Sequence, residues 1–118
     1  MTKIGNSAFS NQNLCEEIVF PESLEIIGDS AFENCTSLTE IHIPSSVTEI
    51  GDEAFKGCSN LTELTFGDDS DLYSIGVSAF YDCVRLEEVT IPASVVFIRS
   101  SAFAYCTGME TLTFEEGS

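Results

Sequence analysis

The chain has 118 residues with 43% hydrophobic side chains, enough for one domain with a core and too apolar for a disordered segment. Twenty acidic residues against four Lys and Arg give a net charge of −16, which repels nucleic-acid phosphates and anionic lipid heads and favours basic partners or divalent cations. No apolar run approaches the roughly 20 residues that cross a bilayer, and Met1–Gly5 lacks the basic, apolar and small-residue order of a signal peptide.

Taken in chain order, the same unit keeps returning. Ile4-Gly5-Asn6 leads to Ala8-Phe9, and Ile18 and Phe20 precede Pro21. The second unit is the clearest: Ile27-Gly28-Asp29 opens it, Ala31-Phe32 and Cys35 follow, and Leu38-x-x-Ile41-x-Ile43 runs up to Pro44. The third begins at Ile50-Gly51-Asp52, passes Ala54-Phe55 and Cys58, and ends with Leu61-x-x-Leu64-x-Phe66. Gly67–Ser74 is two residues longer than its counterpart and rich in turn formers, so it is expected to bulge and leave the core columns aligned. The fourth carries Ala79-Phe80, Cys83 and Leu86-x-x-Val89-x-Ile91 before Pro92. The fifth carries Ala102-Phe103, Cys106 and Met109-x-x-Leu112-x-Phe114. The five Phe residues are spaced by 23, 23, 25 and 23, a period that marks stacked coils burying their apolar faces together.

Within each coil the closing apolar–polar–apolar alternation predicts a strand, which the proline ends because it cannot donate to a ladder. The glycine suits a positive φ or a tight backbone approach, so Arg99 in its place predicts local strain. Asn6, Asp29, Asp52 and Ser100 are residues that cap helices. Ala, Phe and Cys at i, i+1 and i+4 would face inward from one short helical turn.

The motif Ile-Gly-x-x-Ala-Phe-x-x-Cys-x-x-Leu-x-x-Ile-x-Ile-Pro-x-Ser-Val resembles the BspA-type leucine-rich repeat, and the resemblance covers Ile4 to Phe114. It implies a leucine-rich-repeat solenoid of about 4.5 coils, a horseshoe-like α/β arrangement over residues 1–118. The parallel sheet would lie on the concave side and short helical or 3-10 turns on the convex side. It also implies a secreted or cell-surface setting and a role in adhesion. The chain departs from the motif at Gln12, Cys15, Gly67, Arg99 and Glu115. Neither end carries a recognisable cap, so a fragment of a longer array is expected, or weak self-association through the open ends.

No catalytic constellation is visible. There is no nucleophile motif, no phosphate loop, no dinucleotide fingerprint and a single histidine, so neither an enzyme nor a cofactor is expected. The cysteines lack C-x-x-C spacing, and a stacked column of them reads as free thiols filling the core. Asp68, Asp69 and Asp71 in the bulging loop are the candidate for calcium, without the EF-hand spacing or glycine. The stronger candidate is the outward face of the strands. One file holds Glu16, Thr39, Thr62, Glu87 and Glu110; the next holds Glu17, Glu40, Glu63, Glu88 and Thr111; the third holds Val19, His42, Thr65, Thr90 and Thr113. An acidic, Thr-rich face of this kind suits a protein partner, basic or from a host surface or matrix. The alternative is a structural spacer that extends another domain from a cell surface.

Overall fold

The computed structural model describes residues 3–11 and 17–116, with no side chain described for Glu17. Ten short strands alternate between two sides of a solenoid: β1 (Lys3–Ile4), β2 (Glu17–Ile18), β3 (Ile26–Ile27), β4 (Glu40–Ile43), β5 (Glu49–Ile50), β6 (Glu63–Phe66), β7 (Ser74–Ile75), β8 (Glu88–Ile91), β9 (Phe97–Ile98) and β10 (Thr111–Phe114). All pairing is parallel, and every paired strand lies against the equivalent segment of a neighbouring coil. The odd-numbered strands form one five-stranded sheet, which the sequence reading did not anticipate. The even-numbered strands carry the concave face and divide into β2-β4-β6 and β8-β10.

The convex side contains no helix among the described residues. Each coil instead strings together tight turns, closed in the second coil by Ala31 N–H to Gly28, Glu33 N–H to Ser30 and Cys35 N–H to Phe32. The intervening N–H groups of Ser30, Phe32 and Asn34 donate onward to Asp52, Ala54 and Lys56 of the next coil, at 2.7–2.8 Å. A helix would direct every N–H along its own axis; the alternation here gives half of them to the neighbouring coil. It requires two left-handed residues per coil, four apart: Ser7 and Asn11, Ser30 and Asn34, Glu53 and Gly57, Ser78 and Asp82, Ser101 and Tyr105. Only Gly57 among them is the residue that adopts this conformation without penalty.

Asn6, Asp29 and Asp52 therefore do not cap helices. The side-chain oxygen of each accepts the N–H one coil later, of Asp29, Asp52 and Val77, all at 2.9 Å. The glycines beside them serve tight approach, and positive φ is not involved. A Cβ on Gly28, Gly51 or Gly76 would lie about 2.5–2.6 Å from the nearest atom of the preceding coil, backbone or the Asp29 carboxylate. Arg99 keeps an ordinary negative φ, so the strain expected there does not arise; its guanidinium lies 4.4 Å over the Phe97 ring.

The core is a set of columns through the coil axis. Phe32, Phe55 and Phe80 are almost fully buried and stack with Phe9 and Phe103 at centroid distances of 5.2–5.3 Å. Each buried ring contributes about 1.5–3 kcal/mol over exposure. The two extra residues before Leu72 are absorbed where they occur. Leu72 and Ile75 are both fully buried, and Ile75 pairs in register with Ile50.

Cys35, Cys58, Cys83 and Cys106 form a free-thiol column, and each thiol donates to the carbonyl of a Phe in the preceding coil at 3.0–3.3 Å. Burial pushes the Cys58 thiol up from its ordinary 9.0 to about 12, with smaller contributions from Cys35. Desolvation raises Cys83 and Cys106 in the same direction. Gln12 and Cys15 lie outside the described residues.

Candidate interaction face

The concave strands position the candidate side chains by simple alternation. In β4, Ile41 and Ile43 point into the core while Glu40 and His42 are exposed, and β8 repeats this with Val89 and Ile91 against Glu88 and Thr90. Register then sets the files: Glu17 faces Glu40, Glu40 faces Glu63, and Glu88 faces Thr111. His42 faces Thr65 and Thr90 faces Thr113. Glu16 falls outside the described residues, and of Glu17 only the backbone is placed.

Hydrogen bonds tie parts of the third file together. His42 Nδ1 lies 2.8 Å from Thr65 Oγ1, and Thr90 Oγ1 lies 3.0 Å from Thr113 Oγ1. Thr39 is half-buried, whereas Thr62, Glu63, Glu87, Glu110 and Thr111 are exposed. Val19, at the head of that file, is 85% exposed, a large apolar side chain left on an otherwise polar face.

Depressions lie along the face, among them one of about 500 Å³ at its edge beside Thr62, Arg85, Glu87 and Glu110 and two nearer its middle. Of these two, one of about 170 Å³ lies among Val19, Phe20, Glu22, Glu40, His42 and Glu63. The larger, about 580 Å³, sits between β6 and β8, with Thr62, Glu63, Glu87, Glu88, Thr90 and Glu115 among its lining residues. Sequence reasoning missed it, because it follows from a discontinuity in strand pairing. The sequence has two departures beside it, Pro92 just after β8 and the two extra residues of Gly67–Ser74.

Elsewhere the chemistry is sparse. Asp68 and Asp69 border a shallow acidic depression with Ser94, Glu115 and Glu116, and Asp71 is not part of it. Among the described residues no three carboxylates, thiols or imidazoles converge as a metal site requires. No described helix is long and apolar enough to cross a membrane.

Comparison with known proteins agrees with this architecture. The family model for the BspA type leucine rich repeat region matches residues 2–118 in six copies. Comparison with curated proteins returned no significant match. Among solved structures, the leucine-rich repeat protein of T. pallidum is 32% identical with a TM-score of 0.90, over 94% of this chain and 51% of its own. The pneumococcal vaccine antigen PcpA is 34% identical with a TM-score of 0.88, over 99% of this chain and 29% of its own. A leucine rich cell surface protein of Faecalibacterium prausnitzii is 31% identical with a TM-score of 0.90, over 98% of this chain and 30% of its own. The chain thus spans about half of the first relative and under a third of the other two. A 23-residue unit, the Ala-Phe-x-x-Cys column and this coil geometry place the chain in the BspA-type leucine-rich repeat family.

Proposed function

We propose that the chain is a protein-binding module that presents its acidic, Thr-rich concave sheet to a macromolecular partner in cell-surface adhesion. The observation that carries this reading is the set of outward files. Glu40, His42, Thr62, Glu63, Thr65, Glu87, Glu88, Thr90, Glu110, Thr111 and Thr113 are exposed on one face, in fixed register, on strands held by a rigid core. The described residues of the three files include no Lys or Arg, and Arg85 borders Thr62, Glu87 and Glu110 at one edge of the face. Directly opposed carboxylates such as Glu40 and Glu63 repel across a strand pair, and a cationic partner relieves that repulsion. The surface setting is supported by relatives described as a vaccine antigen and a cell surface protein.

The test is retention of extracellular-matrix and cell-surface proteins by the native chain and by Glu40→Lys/Glu63→Lys/Glu88→Lys. A partner held by the first and lost by the second, with circular dichroism unchanged, supports the concave face. Equal retention moves the contact to the convex side or the loops. No partner for either chain favours spacer repeats.

A further inference from the structure

Each coil serves as a control for the others, because one backbone position is filled again in every repeat. On the outward face of the five-stranded sheet, register places Lys3, Ile26, Glu49, Ser74 and Phe97 in one file. Beside it run Glu25, Thr48, Tyr73 and Val96, and beyond the strands come Asn6, Asp29, Asp52 and Val77. The first three coils are polar or charged at these positions except for Ile26. The fourth and fifth bring Tyr73, Val77, Val96 and Phe97, all between 38% and 59% exposed. Single exposed apolar residues are ordinary; four in two adjacent coils are not.

The fold does not ask for this change. The side-chain oxygens of Asn6, Asp29 and Asp52 each accept an N–H of the next coil, and Val77 in the same position has no oxygen to offer Ser100. Arg99 likewise replaces the residue that gives Gly28, Gly51 and Gly76 their close approach to the preceding coil. Two stabilising features of the repeat are given up side by side. Such breaks of a local rule, with no gain to the fold, belong to functional positions.

The replacements share one chemistry. The rings of Tyr73 and Phe97 meet edge to face with centroids 5.5 Å apart, and the Arg99 guanidinium lies 4.4 Å over the Phe97 ring. Stacking occupies a face of the guanidinium and leaves its in-plane N–H groups for a planar anion. No carboxylate pairs with them among the described residues, where the ion pair is that of Lys56 with Glu53. A basic segment is repelled by Arg99, and a purely apolar one would bury the guanidinium without a partner. A carboxylate next to an apolar side chain satisfies both parts of the patch.

We propose that Tyr73, Val77, Val96, Phe97 and Arg99 form a second docking surface, on the side away from the concave face. It takes a protein segment that carries Asp or Glu beside an aromatic or aliphatic side chain. The carboxylate pairs with Arg99, and the apolar side chain packs on Tyr73, Val96 and Phe97. This surface stands independently of the concave-face reading.

The experiment is an NMR titration of the isotope-labelled chain with the blocked peptide Ser-Glu-Ser-Phe-Ser, whose Glu and Phe share one side when extended. Amide shifts move in Tyr73–Val77 and Val96–Arg99. Arg99→Gln weakens binding about tenfold, as does replacing the peptide's Glu with Gln. Phe97→Ser weakens it likewise, with circular dichroism unchanged. Arg85→Gln, which removes the same charge from another surface, stays within about twofold of the native chain. Equal loss in Arg85→Gln and Arg99→Gln reduces the effect to long-range attraction and overturns the site. Shifts confined to other residues, or none at about 5 mM peptide, also overturn it. Shifts of the same amides on raising the concentration of the chain alone make the patch a contact between copies and overturn the peptide partner. Glu40→Lys/Glu63→Lys/Glu88→Lys leaves the titration unchanged, so failure here and failure of the concave face are read separately.

Discussion

The two sheets of this solenoid are built by the same coils, yet one is continuous and the other is broken. The five-stranded sheet uses strands of only two residues, but every boundary in it is paired. The turns that follow it bond coil to coil through the backbone and through Asn6, Asp29 and Asp52. The concave sheet uses four-residue strands and loses one boundary completely. Strand length therefore does not decide continuity, although the donor offered at the end of each ladder goes with its length. Where the following coil offers Gly67 or Glu115, the ladder runs four residues. Pro44 stands at the boundary of β2 and β4, where pairing covers only two residues, and Pro92 stands where it vanishes. Like-charge repulsion alone does not explain the break, since Glu40 lies directly opposite Glu63 and that pair of strands holds.

Four measurements break or sharpen this contrast. The largest effect is on the core that both sheets share: Phe55→Ala lowers the unfolding free energy by about 3–5 kcal/mol in urea denaturation, because the ring is fully buried between two others. A cost under about 1 kcal/mol would show that the column is not the main support. Next, Asp52→Ala costs about 1 kcal/mol through the orphaned Val77 N–H, whereas Glu63→Ala on the concave face stays within about 0.5 kcal/mol. Equal costs would remove the distinction between the two sides.

The third measurement concerns pH. Folding holds the proton on Cys58 more tightly than the unfolded chain does, so the folded state binds more protons above pH 9 and loses stability as pH rises from 9 towards 12. Urea midpoints fall across that window, and Cys58→Ala makes the fall shallower. An unchanged slope would show that the thiol is not desolvated. The smallest effect is at the break itself. Pro92→Ala restores the missing donor, changes stability by under about 1 kcal/mol, and protects the new amide against hydrogen exchange. A fast-exchanging amide at residue 92 would mean that the break has another cause.

How much of this was legible in the sequence depended on distance along the chain. Phe32, Phe55 and Phe80 recur with enough company to fix the period, and alternation in Glu40–Ile43 fixed which side chains face outward. Ile26-Ile27 and Glu49-Ile50 are too short to show alternation, so the second sheet was hidden. Asp29 and Asp52 have the right chemistry for helix caps, and local rules read them so. Their partners are 23 and 25 residues away, where no local rule looks. The Ala-Phe-x-x-Cys spacing suits a helical turn as well as linked tight turns, and only coil-to-coil bonding separates the two. The groove between β6 and β8 was least legible of all, because it lies where two strands fall in different sheets, which no local pattern records.

The stacked rings also fix how such coils accumulate. They repeat at 5.2–5.3 Å with planes only 4–9° apart. Paired strands repeat at about 4.8 Å, and a difference of about 0.4–0.5 Å across a layer about 10 Å thick bends the axis by only about 2–3° per coil. A face built this way is almost straight, closer to a ruler than to a bowl. Whatever reads it along the axis meets a carboxylate or a hydroxyl at nearly every step and gains strength by spanning more steps.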